Sequence, residues 1–169
     1  MKYTFSIALS ALAMLLMATL PASADFVGQT ILGPLGPGSV VNGDTTGATD
    51  DNDGFTSGMH IFNIWDGPDD VWALNWTGGD LELEMTYDVM QADLDLFLYT
   101  PASYDDSGNY SIMNTGVENI LEPAAVAGLY YVVIDAPAGN AGAYQLSVVP
   151  EPASLALLGL GLMLVARRR

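Results

Sequence analysis

From Leu81 to Tyr87 the side chains alternate between apolar and polar without a break. Leu81, Leu83, Met85 and Tyr87 fall on one side of an extended chain, and Glu82, Glu84 and Thr86 on the other. Successive side chains of a strand point to opposite faces. The run therefore predicts a strand in a sheet with one dry and one wet face.

The flanking segments carry the same signal. Met59 to Ile64 reads as an apolar strand, and Asp66 to Asp70 as a turn. Val71 to Thr77 puts Trp72, Leu74 and Trp76 on one face, and Gly78-Gly79-Asp80 turns the chain into the alternating strand. Ala92 to Thr100 aims Leu94, Leu96 and Leu98 at a core and leaves Asp93, Asp95, Phe97 and Tyr99 outward or on a rim. Tyr110 to Met113 is a short strand, and Glu118 to Ala127 a connection. Leu129 to Asp135 is rich in β-branched and aromatic residues, and Tyr144 to Val149 closes the series. No stretch of residues 25–149 has helical periodicity. Short strands with frequent turns predict an all-β fold, an antiparallel sandwich of about seven to eight strands.

Charge is distributed just as unevenly. All four Lys and Arg residues lie at the ends of the chain, at Lys2 and Arg167 to Arg169. Residues 25–149 hold every acid except Glu151 and no Lys or Arg at all. Nucleic-acid binding, which depends on cations that neutralise phosphates, is excluded for this segment. The chain has no cysteine, so disulfides, thiol catalysis and Cys-ligated zinc are excluded too. It has one histidine, His60, which rules out a His-rich zinc site, and no G-x-S-x-G nucleophile elbow. Glu82 and Glu84 have the spacing of any half-exposed strand, so they do not call for a glycosidase pair. These observations predict a protein that is not an enzyme.

Acids without bases make calcium the expected cofactor. Asp50-Asp51-Asn52-Asp53-Gly54 is the densest cluster of oxygen ligands, although Ile61 stands where an EF-hand would need its distal glutamate. Asp69 and Asp70 precede a strand. Asp93 and Asp95, two apart, are expected to share a face. A solvated acidic surface accounts for the same charges equally well. Trp65, beside a turn, and Tyr99, on the polar side of its strand, are the candidates for a ligand-binding surface.

The two ends read as export segments. Lys2, the apolar stretch Phe5 to Leu20 and Ala22-Ser23-Ala24 form a signal peptide cut after Ala24. At the other end Pro150-Glu151-Pro152 leads into the uncharged run Ala153 to Ala166 and then Arg167-Arg168-Arg169. As a helix that run spans roughly 21 Å at ~1.5 Å per residue, short of a bilayer core of ~30 Å. A terminal signal helix and a C-terminal transmembrane sorting helix are thus expected to flank the sandwich. The expected organisation is a signal peptide over 1–24, a Gly/Pro/Asp-rich leader over 25–57, the sandwich over 58–149 and the sorting segment over 150–169.

The C-terminal segment resembles the PEP-CTERM sorting domain of Gram-negative bacteria in its motif, apolar run and terminal arginines. The resemblance implies removal of the tail by an exosortase, a membrane-embedded cysteine protease, after secretion by the general export machinery. It also implies transient inner-membrane anchoring, then a place at the cell surface or in an exopolysaccharide matrix. The pieces "GPDDVWALNW", "ADLDLFLYTP" and "AGLYYVVIDAPAGNAGAYQLSV" resemble, in that order, bacterial pre-peptidase C-terminal domains. That resemblance implies a jelly-roll-like sandwich with an accessory or binding role. The expected function is a non-enzymatic, exported surface or matrix protein, with extracellular polysaccharide as the expected partner. A secreted hydrolase and a self-associating structural protein are the alternatives.

Overall fold

The computed structural model describes residues 26, 29–51, 65–102 and 109–149. They form nine strands: β1 (Ile31–Leu35), β2 (Val40–Asp44), β3 (Asp70–Trp76), β4 (Gly79–Tyr87), β5 (Asp95–Tyr99), β6 (Asn109–Ser111), β7 (Val117–Ala125), β8 (Gly128–Asp135) and β9 (Ala143–Val149). Five make one sheet in the order β1-β3-β8-β5-β6, and four make the other in the order β2-β9-β4-β7. Every pairing is antiparallel except β1 with β3, which is parallel.

The alternating strand behaves as its pattern requires. Leu81, Leu83 and Met85 of β4 are buried between the sheets, while Glu82 and Glu84 face solvent. They meet Leu74 and Trp76 of β3, Leu96 and Leu98 of β5, Tyr130, Val132 and Ile134 of β8, and Leu146 and Val148 of β9.

The five-stranded sheet is dry on its other face as well. Phe97, Tyr99, Val71, Tyr131 and Val133 form a second apolar cluster there, covered by Phe26 and Trp65. The Phe26 ring stacks on Tyr131 at 4.2 Å and meets Tyr99 edge-on at 5.0 Å. Trp65 meets Phe97 edge-on at 5.4 Å. Strand β5 is consequently buried at all five positions. The expectation that Asp95, Phe97 and Tyr99 face outward fails because the sheet has a cover that alternation within one strand does not reveal.

Segment 25–57 does more than lead into the sandwich. It supplies β1 to the edge of one sheet and β2 to the edge of the other. The turn between them crosses from sheet to sheet, with the Ser39 N–H donating to the Gly36 carbonyl at 3.0 Å. At the opposite side β6 and β7 are bridged by side chains. Asn109 Nδ2 donates to the Leu121 carbonyl at 3.0 Å, and Ser111 Oγ accepts from the Asn119 N–H at 3.3 Å. Strand β7 replaces the expected connection over Glu118 to Ala127. Its inward face carries Glu118 and Ile120, and its outward face Val117 and Leu121, so its polarity pattern does not announce a strand.

The expected flanking helices are corrected. Among the described residues no helix is long and apolar enough to cross a membrane. The segments on which they were expected, 1–24 and 150–169, lie outside the described residues, as do Ala22, Ala24, Pro150, Glu151, Pro152 and Arg167 to Arg169. The fold is a nine-stranded all-β sandwich, and the transmembrane helix with its inner-membrane anchoring has no support in it. The strand expected over Met59 to Ile64, His60 included, also lies outside the described residues.

Candidate functional site

Three adjacent strands place three acids side by side. Asp70 pairs with Ile134, so Asp69, one step before β3, continues the ladder opposite Asp135 at the end of β8. On the other side of β8, Asp135 pairs directly with Asp95 at the start of β5. Parity puts all three on the outer, Trp65-covered face, in step with Val71, Val133 and Phe97. The result is a row Asp69–Asp135–Asp95 across the sheet. Exposure falls to 6% for Asp69, 5% for Asp95 and 0% for Asp135.

Each acid has different partners. Asp69 Oδ2 accepts from the Asp51 N–H at 2.6 Å, and the Asp69 N–H donates to the Thr49 carbonyl at 3.0 Å. Asp95 Oδ2 accepts from Trp65 Nε1 at 2.5 Å. Asp135 Oδ1 accepts from the Ala136 N–H at 2.6 Å, but its buried Oδ2 accepts nothing among the described residues. The loop carrying Asp69 is held against this corner by Gly67, whose N–H donates to the Ala136 carbonyl at 3.0 Å. A Cβ at Gly67 would lie 2.5 Å from that same oxygen, so only glycine allows the approach.

Burial disfavours the charged form of such groups. It pushes the Asp135 carboxyl up to about 9, against the Ala136 hydrogen bond and with further help from the charges of Asp69, Asp50 and Asp95. It pushes Asp95 up to about 7, opposed by the Trp65 hydrogen bond and reinforced by Asp93 and Glu118. Beside the row lies a cavity of about 260 Å³ whose wall includes Asp69, Asp70, Asp51, Thr49, Thr30 and Gln29.

The candidate calcium ligands are thus partly brought together and partly separated. Asp50 and Asp51 are exposed, and Asp51 reaches Asp69 through its backbone; Asn52 and Asp53 lie outside the described residues. Asp69 and Asp70 go to opposite faces. Asp70 turns between the sheets, where its Oδ2 accepts from the Tyr144 hydroxyl at 2.6 Å, and that hydroxyl accepts from Trp72 Nε1 at 2.7 Å. Asp93 is half-buried and near enough to raise Asp95, but Asp95 itself is turned to Trp65. Among the described residues no three His, Cys, Asp or Glu side chains form a ready-made metal centre.

Trp65 and Tyr99 do not present a binding surface. They are 6% and 0% exposed, their rings spent on the outer core. Two buried acids escape the sequence reading altogether. Asp135 shares the parity of Tyr131 and Val133, a signal that an acid had been placed on a dry face. Glu118 gives no such sign. It is fully buried on β7, accepting from Ser111 Oγ at 2.5 Å, from the Met113 N–H at 2.9 Å and from the Tyr87 hydroxyl at 3.4 Å.

Comparison with known proteins adds two findings. Residues 148–169 match the model of the PEP-CTERM protein-sorting motif. The sandwich is similar to the pre-peptidase C-terminal domain of a collagenase from Bacillus anthracis, with a TM-score of 0.50, 15% identity, 71% of this chain covered and 95% of that one. Weaker likenesses are to PliG, a periplasmic lysozyme inhibitor from Aeromonas hydrophila (TM-score 0.45, 7% identity, covering 72% of this chain and 97% of that one), and to CorA, a surface-associated copper-binding protein of Methylomicrobium album BG8 (TM-score 0.46, 8% identity, covering 72% of this chain and all of that one). No curated protein matches the sequence. The chain therefore carries a PEP-CTERM sorting motif behind a sandwich of the pre-peptidase C-terminal fold.

Proposed function

We propose that this chain is an exported, non-catalytic protein of the cell surface or extracellular matrix whose C-terminal tail is removed by an exosortase. The observation that carries the reading is the sorting motif over residues 148–169. It overlaps only the last two residues of β9, Val148 and Val149, so a cut beyond Val149 leaves all nine strands on the released side.

The domain's composition supports a binding role outside the cell. It has no thiol to oxidise and no Lys or Arg to draw it to nucleic acid or anionic lipid. Its inter-sheet core is apolar, and the buried acids Asp69, Asp135 and Asp95 lie side by side under the Trp65 cover rather than across an open cleft. Extracellular polysaccharide is the expected ligand class, engaged by surfaces other than Trp65 and Tyr99.

Replacing Pro150, Glu151 and Pro152 together by alanine tests the sorting step in the producing bacterium. The expected result is accumulation of the unprocessed chain in cells and its loss from the surface fraction. Unchanged processing would overturn the reading. A glycan array probed with the secreted form tests the ligand class. Retention on anionic or neutral glycans supports it, and the absence of retention on any of them argues against it.

A further inference from the structure

Strand β9 is an inner strand of its sheet, paired with β2 on one side and with β4 on the other, and its last residue, Val149, still pairs with Glu82. The sorting motif starts at Val148, so no spacer separates the sheet from Pro150. Three residues of fully extended chain reach at most about 11 Å. An enzyme that grips Pro150 to Pro152 must therefore come up against the end of the sandwich where β9 stops. Three turns build that end. The β1–β2 turn is tied to β9, the Gly38 N–H donating to the Val148 carbonyl at 2.9 Å and the Val148 N–H to the Ser39 carbonyl at 2.8 Å. The β3–β4 turn lies against the β7–β8 turn: a Cβ at Gly78 would stand 3.6 Å from the Ala127 nitrogen and 3.8 Å from the Ala125 carbonyl oxygen. The Tyr130 hydroxyl fixes the β7–β8 turn by donating to the Val126 carbonyl at 2.8 Å.

We propose that this end of the sandwich is a docking surface for the protease that cuts the tail, with Val40 and Val126 as contact residues. The inference rests on the tail-processing reading and adds the partner's footprint to it. Val40 and Val126 are each 61% exposed, on backbone held by the hydrogen bonds just described. Val40 stands on β2, next to β9, and Val126 just past the end of β7, two strands away on the other side. With strands about 4.8 Å apart, the two bracket the point where β9 leaves the sheet at roughly 5 and 10 Å. Charge sets this end apart from the other. Turn residues 36–39, 77–78 and 126–127 carry no charged group. The loops and strand ends of the opposite side carry Asp44, Asp51, Asp66, Asp69, Asp88 and Asp93. The uncharged end leads within a few residues into 153–166, which are uncharged as well. A partner surface that receives both is apolar, and a carboxylate pressed against it without a counter-charge is costly.

Processing of the full-length chain in the producing bacterium tests it, read by mass as the rate at which precursor becomes the cut form. Val40→Asp combined with Val126→Asp is expected to slow the cut by about tenfold. Both positions are exposed, so the double variant keeps the parent's Tm. Met90→Asp, an acid added at an exposed position of the opposite end, leaves the rate unchanged. A Gly/Ser spacer of about eight residues between Val149 and Pro150 reaches roughly 16 Å and frees the motif from the sandwich. In the double variant this spacer is expected to restore most of the parent rate, which it would not do for a misfolded domain. Cutting of the double variant at the parent rate, or no recovery with the spacer, would overturn the proposal. An unhindered cut after alanine replacement of Pro150 to Pro152 would instead overturn the tail-processing reading, and this surface with it.

Discussion

Asp95 and Asp135 face each other across the β5–β8 ladder, both buried, with no Lys or Arg in the sandwich segment to separate them. Two carboxyls so placed resist ionisation together, and each is held above the ordinary carboxylate range. The energetic consequence is a domain whose centre is easier to fold when these groups are neutral.

The sign of the pH dependence follows. An acid with an elevated pKa in the folded state binds its proton more tightly there than in the unfolded chain. Its stabilising contribution is complete below the unfolded value near 4 and is lost as pH rises towards about 7 for Asp95 and about 9 for Asp135. Tm should therefore fall steadily between about pH 5 and pH 9. Asp69, Asp50, Asp93 and Glu118 contribute charge from the same side and steepen the fall. Calorimetry across that range checks it, and a Tm that rises with pH would contradict it.

Tyr144 is fixed from two directions. Its hydroxyl joins Trp72 to Asp70, and its ring lies over Gly43, its cross-strand partner. Tyr144→Phe strands the Trp72 N–H and one Asp70 oxygen, and should cost about 1–3 kcal/mol in urea unfolding. A Cβ at Gly43 would sit 2.2 Å from the ring, so Gly43→Ala should cost a similar amount. In a Tyr144→Ala background most of the Gly43→Ala penalty should vanish. Additive costs would show that the ring is not the obstacle.

Glu118 is a buried acid with its hydrogen bonds made. Glu118→Ala removes the acceptor for the Met113 N–H, Ser111 and Tyr87 at one stroke. It should destabilise by about 2–4 kcal/mol. Glu118→Gln keeps the shape and one acceptor oxygen, and should lose about half as much. Equal effects of the two changes in denaturant titrations would show that packing rather than hydrogen bonding sets the cost.

Trp65 both covers Phe97 and donates to Asp95. Trp65→Phe retains a ring and loses the donor. Its cost should be about 1–3 kcal/mol at pH 8, where the bond goes to a carboxylate, and smaller at pH 5, where Asp95 is neutral. A pH-independent loss would assign Trp65 a packing role only.

Alternation made the inter-sheet core legible. Leu81, Leu83, Met85, Leu94, Leu96, Leu98, Leu146 and Val148 all fall where a period of two puts them. The outer core was illegible for a related reason. Strands β3, β8 and β5 are covered on both sides, and the cover includes Phe26 and Trp65, which are distant in sequence from the residues they bury. Alternation then no longer separates inside from outside, so Asp95 and Tyr99 read as rim positions. Strand β7 was missed because an acid, Glu118, takes an inward position that local pattern assigns to an apolar residue. The edge strands β1 and β2 were hidden by Gly33, Pro34 and Gly43, turn-like residues that edges tolerate. The acidic site was half legible. Composition pointed to an external counter-charge, and only the ladder register joined Asp69 and Asp95 through Asp135.

Intact-mass measurement of the protein recovered from the culture medium, set beside the form retained in cells, tests the account most directly. It predicts a secreted species that ends within residues 150–169, shorter than the cell-associated precursor and lacking Arg167 to Arg169. A secreted species that still ends at Arg169 would contradict it.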